Sequence, residues 1–536
     1  MCAYPIFLCK RIKKRKIRES EREDPKEKNR KKRNCEDERQ ERCPAVREYR
    51  KEIKGITAAQ KGSARTVYRS GVAGRKRDGR KTKNGVRRCR LDRFDGAYEW
   101  SVTQVDVFVI NGGKKLYGTV NISGAKNSAV AIIPAVVLCD EPCVIENLPK
   151  IRDVSVILEI LKTMGAKVTR IGGDSSRVRI DPRPIKDYHV NCERLVGDMR
   201  ASYYLLGALL GKFGAAVVPS SGGCSFCDRP IDLHIKAFRA LGAQCKLLSD
   251  RVELTSEKLE GRNIDFDVVS VGATMNAMLA AVRVPGRTVI ARAAKEPHIV
   301  DLANFLNSMG ANVKGAGTDV IKIKGVEHLH GCTYSIIPDQ IEAGTYMAAV
   351  AATGGDVTIT GVIPEHLESI TTKLRDTGTT VEEFDEAVRV VREGPLYSCN
   401  VKTMPHPGFP TDMQPQFVAL LCSAQGKSRV MECVWETRFS YVPQLRKMGA
   451  DIIENGNTAH IDGKDKLHGA KVRALDLRAG AAMVIAGLAA TGTTQISEVR
   501  YIERGYEKII EKLTALGADI GRQIVIETTN DDVELD

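Results

Sequence analysis

A short phrase containing a glycine recurs six times along this chain, and its spacing limits the folds open to it. The phrase reads Met164-Gly165-Ala166, Leu241-Gly242-Ala243, Met309-Gly310-Ala311, Thr377-Gly378-Thr379, Met448-Gly449-Ala450 and Leu516-Gly517-Ala518. Successive glycines stand 77, 68, 68, 71 and 68 residues apart. Self-similarity at such a period means one supersecondary unit copied along the chain. Each glycine follows an amphipathic run and precedes strand-like alternation, which is the position of a helix C-terminal cap.

Every unit holds a second helix candidate of a different kind, made of small and apolar residues: Ser128 to Leu138, Ala201 to Leu210, Ala273 to Val282, Ala343 to Ala352, Phe417 to Ala424 and Ala479 to Ala490. A helix that is apolar all round has to be enclosed. One enclosed helix, one amphipathic helix and about four short strands per unit predict sheets outside and helices within. Six units divide most economically into two inside-out, barrel-like α/β domains of three units each. Residues Val105 to Ser123 precede the first enclosed helix without a unit of their own, and are expected to complete the sheet of the last unit. The second domain is then discontinuous, 105–125 plus 338–530, around a first domain at 126–337 that contains the loop Gly222 to Pro230. Crossings near Gly124 and Pro338 form a double hinge, with a cleft between the domains.

The formal charge of +15 is unevenly placed. Residues 1–104 contain 33 Lys and Arg against 15 Asp and Glu, a net of +18, so the remainder carries −3. A nucleic-acid partner would therefore have to be held by the extension alone. Runs such as Lys10-Arg11-Ile12-Lys13-Lys14-Arg15-Lys16 have almost no apolar periodicity, which predicts disorder over 1–104. The extension is either a binding arm for RNA, a membrane surface or an acidic partner, or a dispensable addition. Its apolar stretch Ala3 to Leu8 comes before the charges, the reverse of a secretory signal. No apolar run reaches membrane-spanning length. Five of the fifteen cysteines lie in the extension and most of the others are scattered singly, without a disulfide framework or metal-ligand spacing, which points to a reducing cytoplasm. Residues 531–536 form a short acidic tail.

The Gly222 to Pro230 stretch gathers flexible backbone, Cys224, Cys227 and Arg229 just before the amphipathic run Ile231 to Leu241. A thiol near a guanidinium on a loop leading into a helix N-terminus suits activation towards thiolate. The alternative is an exposed loop with two incidental cysteines. Other polar residues also collect at helix starts: Lys126-Asn127, Arg200, Asp339, Asp412 and Arg478 before the enclosed helices, Arg229, Arg438 and Arg504 near the amphipathic ones. Cations there oppose the helix dipole, and several in matching places suit a cleft for phosphate and carboxylate groups. Asp339 and Asp412 can each be read as an N-cap or as a general base, with capping the favoured reading at Asp339.

These residues carry a resemblance. Ile122 to Asn127, Met199 to Ser202, Gly222 to His234, Ser270 to Thr274, Phe409 to Gln414, Glu436 to Phe439, Asp476 to Arg478 and Glu503 to Tyr506, in this order across 105–527, resemble the enolpyruvyl transferases acting on UDP-N-acetylglucosamine at the start of peptidoglycan synthesis. The resemblance implies transfer of the enolpyruvyl group of phosphoenolpyruvate to the sugar 3-hydroxyl, with two inside-out domains and no metal or redox cofactor. It implies that Cys224 protonates the phosphoenolpyruvate methylene and is alkylated by fosfomycin, and that Asp412 is the base. Lys126, Arg229 and Arg504 would hold phosphoenolpyruvate and its tetrahedral adduct. Asn127, Arg200, Arg229, Pro230, Ile231, Asp232, Leu233, Asp412 and the backbone at Val434 would line the nucleotide-sugar site, with Arg438 and Arg478 completing a positive cleft. Departures from the family pattern fall at Cys227, Gln340, Val268 and Thr437, and the loop is one residue longer at Ser220-Ser221. Alternatives are the related transferase acting on shikimate 3-phosphate and a catalytically weak nucleotide-sugar-binding paralogue.

Overall fold

The structure, a computed structural model, describes residues 100–197, 199–220, 231–463 and 467–530. The extension 1–99, the loop residues 221–230 with Cys224, Cys227, Arg229 and Pro230, and the tail 531–536 lie outside the described residues.

In chain order the six units contribute the helix pairs α1 (Lys126–Ala135) and α2 (Arg152–Thr163), α3 (Tyr204–Phe213) and α4 (Asp232–Ala240), α5 (Val271–Ala281) and α6 (Pro297–Ser308), α7 (Gln340–Thr353) and α8 (Glu368–Asp376), α9 (Gln414–Leu421) and α10 (Val442–Lys447), α11 (Leu477–Ala489) and α12 (Ile509–Ala515). Odd-numbered helices are the enclosed ones. Every residue of α1 from Ser128 onward is buried, as is all of α11 from Arg478 to Leu488. α3 packs on both α1 and α5, while α7, α9 and α11 each touch the other two. Two separate hydrophobic cores result, one from residues 125–336 and one from 108–122 with 341–520.

The repeated glycine behaves alike in all six units. Its φ lies between 81° and 107° in each, a left-handed conformation open to glycine at little cost. Its N–H donates to the carbonyl three residues back, and the next residue's N–H donates to the carbonyl five back, as in Gly165 to Lys162 and Ala166 to Leu161, both at 2.9 Å. This double bond pattern closes the helix and turns the chain into the sheet.

Among the described residues six sheets surround the enclosed helices, and five share one strand order. In the first unit it runs Thr333–Ser335, Cys143–Glu146, Asp174–Asp181, Lys167–Ile171, the first pair parallel and the others antiparallel. The parallel edge strand comes from the unit preceding in the ring, so each unit hands one strand to the next. In the second unit this strand shrinks to a single bridge between His189 and Val217, which leaves a three-stranded sheet rather than four.

The N-terminal segment divides between two sheets, where one had been expected. β1 (Trp100–Asn111) does complete the last unit, pairing antiparallel with Thr493–Ser497 and Asp519–Asn530. β2 (Leu116–Asn121) instead runs parallel to Gly355–Thr360 in the fourth unit. The reason is cyclic: the fourth unit must receive its edge strand from the sixth, and the chain that continues the sixth unit's sheet is the N-terminal segment.

Two strands cross between the domains side by side. Ala125 N–H donates to Ile337 O at 2.7 Å and Asp339 N–H to Ser123 O at 2.9 Å, around a bridge between Gly124 and Pro338. A Cβ on Gly124 would lie 1.7 Å from the Asn147 carbonyl oxygen, so only glycine fits.

Candidate active site

The crossing delivers Lys126 to the first position of α1. Its backbone N–H donates to Asp339 Oδ2 at 2.9 Å, while Asp339 Oδ1 accepts from Ile341 and Glu342 N–H at 2.8 and 3.0 Å and so caps α7. Asp339 is a structural cap, the reading its sequence position favours. The Lys126 ammonium donates to Asp153 Oδ2 at 2.8 Å. Asp153 belongs to α2 and is only 4 % exposed. From the other domain Arg504 donates to the same carboxylate through Nε at 3.0 Å and Nη2 at 3.3 Å. One buried carboxylate thus joins a lysine and an arginine across the two domains. Lys150 N–H to Glu507 Oε2, at 2.8 Å, is a second bond across the same junction.

Burial pushes the Lys126 ammonium below its ordinary pKa; Arg504 and Arg478 add to this, and Asp153 opposes it. For Asp153 burial acts upward, but Lys126 and Arg504 outweigh it and hold the carboxyl below the usual range. Asp153 therefore contributes stability above the ordinary carboxylate pKa that is lost as the pH falls through its depressed value.

A second set lies around Asp412. It does not cap α9, whose N-cap Met413 has no side-chain cap bond. Its Oδ2 instead accepts from Arg478 Nη2 at 2.9 Å and its Oδ1 from Arg438 Nη2 at 3.4 Å. Both guanidiniums are buried, at 5 % and 3 % exposure, and Arg478 Nη1 also donates to Tyr506 Oη at 3.3 Å. Glu432, 2 % exposed, organises the surrounding turns: it accepts from Thr403 and Thr411 hydroxyls and from the N–H groups of Val434 and Trp435, all within 3.2 Å. Glu432→Leu leaves these donors unpaired in the interior. The expected cost is about 2–3 kcal/mol or more, read as a lower midpoint in urea unfolding; an unchanged midpoint would show that the turns hold themselves.

Lys126 and Arg504 around Asp153 and Arg438 and Arg478 around Asp412 make two ion-paired sets, near enough that Arg478 presses the Lys126 ammonium downward. Asn127, next to Lys126, lines a pocket at the hinge with His298, Asp339, Gln340 and His366. Arg200 opens the turn before α3; Ile231 is the residue before α4, and Asp232 and Leu233 are its first two positions. Val434 is 38 % exposed, and its N–H donates to Glu432 Oε1 at 2.8 Å. Cys224, Arg229 and Pro230 lie outside the described residues. Sequence reasoning missed Asp153 and Glu432. Asp153 had a readable signal: it shares the apolar stripe of α2 with Ile157, Ile160 and Leu161, where a carboxylate needs a partner.

Comparison with known proteins bears on what such a cluster does. The EPSP synthase (3-phosphoshikimate 1-carboxyvinyltransferase) family matches residues 110–513. The chain belongs to the enolpyruvyl transferase family. Among members of this transferase family, the chain is 56 % identical over 418 residues to UDP-N-acetylglucosamine 1-carboxyvinyltransferase 3 of Caldanaerobacter subterraneus subsp. tengcongensis, covering 78 % of this chain and 99 % of that one. It is 54 % identical over 420 residues to UDP-N-acetylglucosamine 1-carboxyvinyltransferase 2 of Clostridium acetobutylicum, 78 % of this chain and all of that one. The enolpyruvyl transferase NikO from Streptomyces tendae superposes with TM-score 0.71 at 28 % identity, over 79 % of this chain and 100 % of that one. EPSP synthase from Acinetobacter baumannii, at TM-score 0.62 and 20 % identity over 78 % of this chain and 100 % of that one, shares the fold. Among the described residues no helix is long and apolar enough to cross a membrane.

Proposed function

We propose that this chain transfers the enolpyruvyl group of phosphoenolpyruvate to the 3-hydroxyl of UDP-N-acetylglucosamine, releasing phosphate, the first committed step of peptidoglycan synthesis. The observation that carries the reading is the cation cluster that two domains build around Asp153 and Asp412, in a chain more than half identical to transferases of that name over their whole length.

In this reading Lys126, Arg504 and the loop residue Arg229 hold the phosphate and carboxylate of phosphoenolpyruvate. Cys224 gives a proton to the methylene carbon, the sugar 3-oxygen bonds to the adjacent carbon, and Asp412 takes the hydroxyl proton. The tetrahedral adduct then returns a methyl proton to the Cys224 thiolate as its carbon–phosphate oxygen bond breaks, which restores the double bond and frees inorganic phosphate. The departing phosphate takes the proton from Asp412. Buried guanidiniums at Arg438 and Arg478 keep Asp412 oriented, and preorganised cations facing developing charge are the larger part of such catalysis. Asn127, Arg200, Pro230, Ile231, Asp232, Leu233 and the backbone at Val434 line the sugar-nucleotide side. Domain 126–337 carries the catalytic loop, domain 105–125 plus 338–530 supplies Asp412 and three arginines, and closure between them excludes water. The substrates place the work in the cytoplasm, and any nucleic-acid contact would belong to the basic extension.

A coupled phosphate-release assay tests substrate and reaction together. Release is expected only with phosphoenolpyruvate and UDP-N-acetylglucosamine both present; release with shikimate 3-phosphate in place of the sugar nucleotide would overturn the acceptor assignment.

A further inference from the structure

Asn276 lies in the middle of α5, wholly buried, where an amide is costly unless every hydrogen-bonding group is used. It uses them by entering another helix. Its Oδ1 accepts from Gly207 N–H at 3.0 Å and its Nδ2 donates to Tyr203 O at 3.0 Å, the donor and acceptor that would otherwise meet as one rung of α3. The chain changes there from the tight turn Arg200–Tyr203 to the α-helix. Gly207 is required for this approach, since a Cβ on it would lie 2.6 Å from Asn276 Oδ1.

The amide has one hydrogen left, and it points at the ring of His234, with Nδ2 to Nδ1 at 2.8 Å. The orientation of the amide is set by Gly207, which can only donate, and Tyr203, whose carbonyl can only accept. Nδ1 must therefore accept, and the ring proton sits on Nε2. His234 is 8 % exposed, and no described residue hydrogen-bonds to its Nε2. That atom lies 3.0 Å from where a Gly272 Cβ would stand, at the N-terminus of α5, where Ser270 Oγ caps the Ala273 N–H at 3.3 Å and the N–H groups of Val271 and Gly272 have no intrahelical acceptor. Burial, then Arg200, push the imidazole down to about 4, so it is neutral near pH 7.

We propose that Asn276 is a positioning residue that locks His234 in its Nε2–H tautomer, so that a neutral donor faces a phosphate oxygen of the sugar nucleotide at the start of α5. The proposal rests on the reading of Arg200 and Ile231 to Leu233, which adjoin His234 in space or sequence, as the sugar-nucleotide side of the site.

The test uses the full chain labelled with [15N]histidine, with long-range 1H–15N correlations at pH 7 and His234 assigned by its loss in H234Q. The expected pattern is a protonated Nε2 and a bare Nδ1, replaced by a tautomer mixture in Asn276→Leu; a protonated Nδ1 in the unaltered chain overturns the proposal. Because Asn276→Leu can lose its fold, steady-state kinetics of two His234 variants form a second arm. A glutamine amide reaches the place of Nε2 and an asparagine amide only that of Nδ1. H234N is expected to raise KM for UDP-N-acetylglucosamine roughly ten- to hundredfold, the range for a hydrogen bond to a charged group. H234Q should stay near the unaltered value, and kcat and KM for phosphoenolpyruvate should hold in both. Equal losses in the two variants would make His234 a packing residue and sink the idea. If the unaltered chain turns over no UDP-N-acetylglucosamine, the acceptor reading fails and the ligand named here fails with it, whatever the ring pattern.

Discussion

Asp412→Asn lowers kcat roughly 10²- to 10⁴-fold, the usual worth of a general base, while the protein stays folded. Asparagine keeps the shape and one acceptor oxygen, so Arg478 keeps its acceptor at the 2.9 Å position while the amide NH2 falls at the weaker 3.4 Å contact with Arg438. It loses the ability to take the hydroxyl proton. Measuring kcat and both KM values separates two roles. A fall in kcat with unchanged KM for phosphoenolpyruvate identifies proton transfer, whereas a rise in that KM alone would mean that Asp412 acts by orienting the two arginines. Near-full activity on every count would remove it from the mechanism. The urea midpoint should drop as well, because two buried guanidiniums lose their formal counter-charge.

Asp153→Asn has the second large effect, and on a different axis. Removing one partner of a buried ion pair costs about 3–5 kcal/mol, since the charges left behind stay desolvated. Here two cations from two domains are left, Lys126 and Arg504. The loss should appear as a lower unfolding midpoint and a higher KM for phosphoenolpyruvate. A signature specific to Lys126 accompanies it. Asp153 raises the lysine pKa against burial, so its loss lowers that pKa further. The alkaline limb of kcat/KM, where Lys126 gives up its proton, therefore moves to lower pH in Asp153→Asn. A limb that stays in place would detach Lys126 from the group that titrates there.

Much of this was legible before any coordinates. The six glycines marked six helix ends because a left-handed cap followed by a strand leaves a local mark, and all six adopt that conformation. The enclosed helices were equally plain, as nothing but burial explains a run like Ala479 to Ala490. At Asp339 the favoured of two readings, a cap rather than a base, is the one the structure shows before α7. The partners of the charged residues were not legible. Asp153 and Arg504 are 351 positions apart, and Asp412 and Arg478 are 66 apart. Nor did sequence show that β1 and β2 part company, because which sheet a strand joins depends on which edge is unfilled.

What the sequence by itself determined is therefore the unit: its caps, its two kinds of helix, its number of copies and the residue types gathered at helix starts. These follow from local backbone preference and from the apolar period, both written over a few turns of chain. Only the tertiary structure decided that one buried carboxylate joins Lys126 to Arg504 across the hinge, that Asp412 faces two arginines instead of capping its helix, and that Asn276 replaces a rung of α3 to aim His234. Such pairings arise from the closure of two three-unit rings, which brings together residues from tens to hundreds of positions apart, and no local pattern carries that distance.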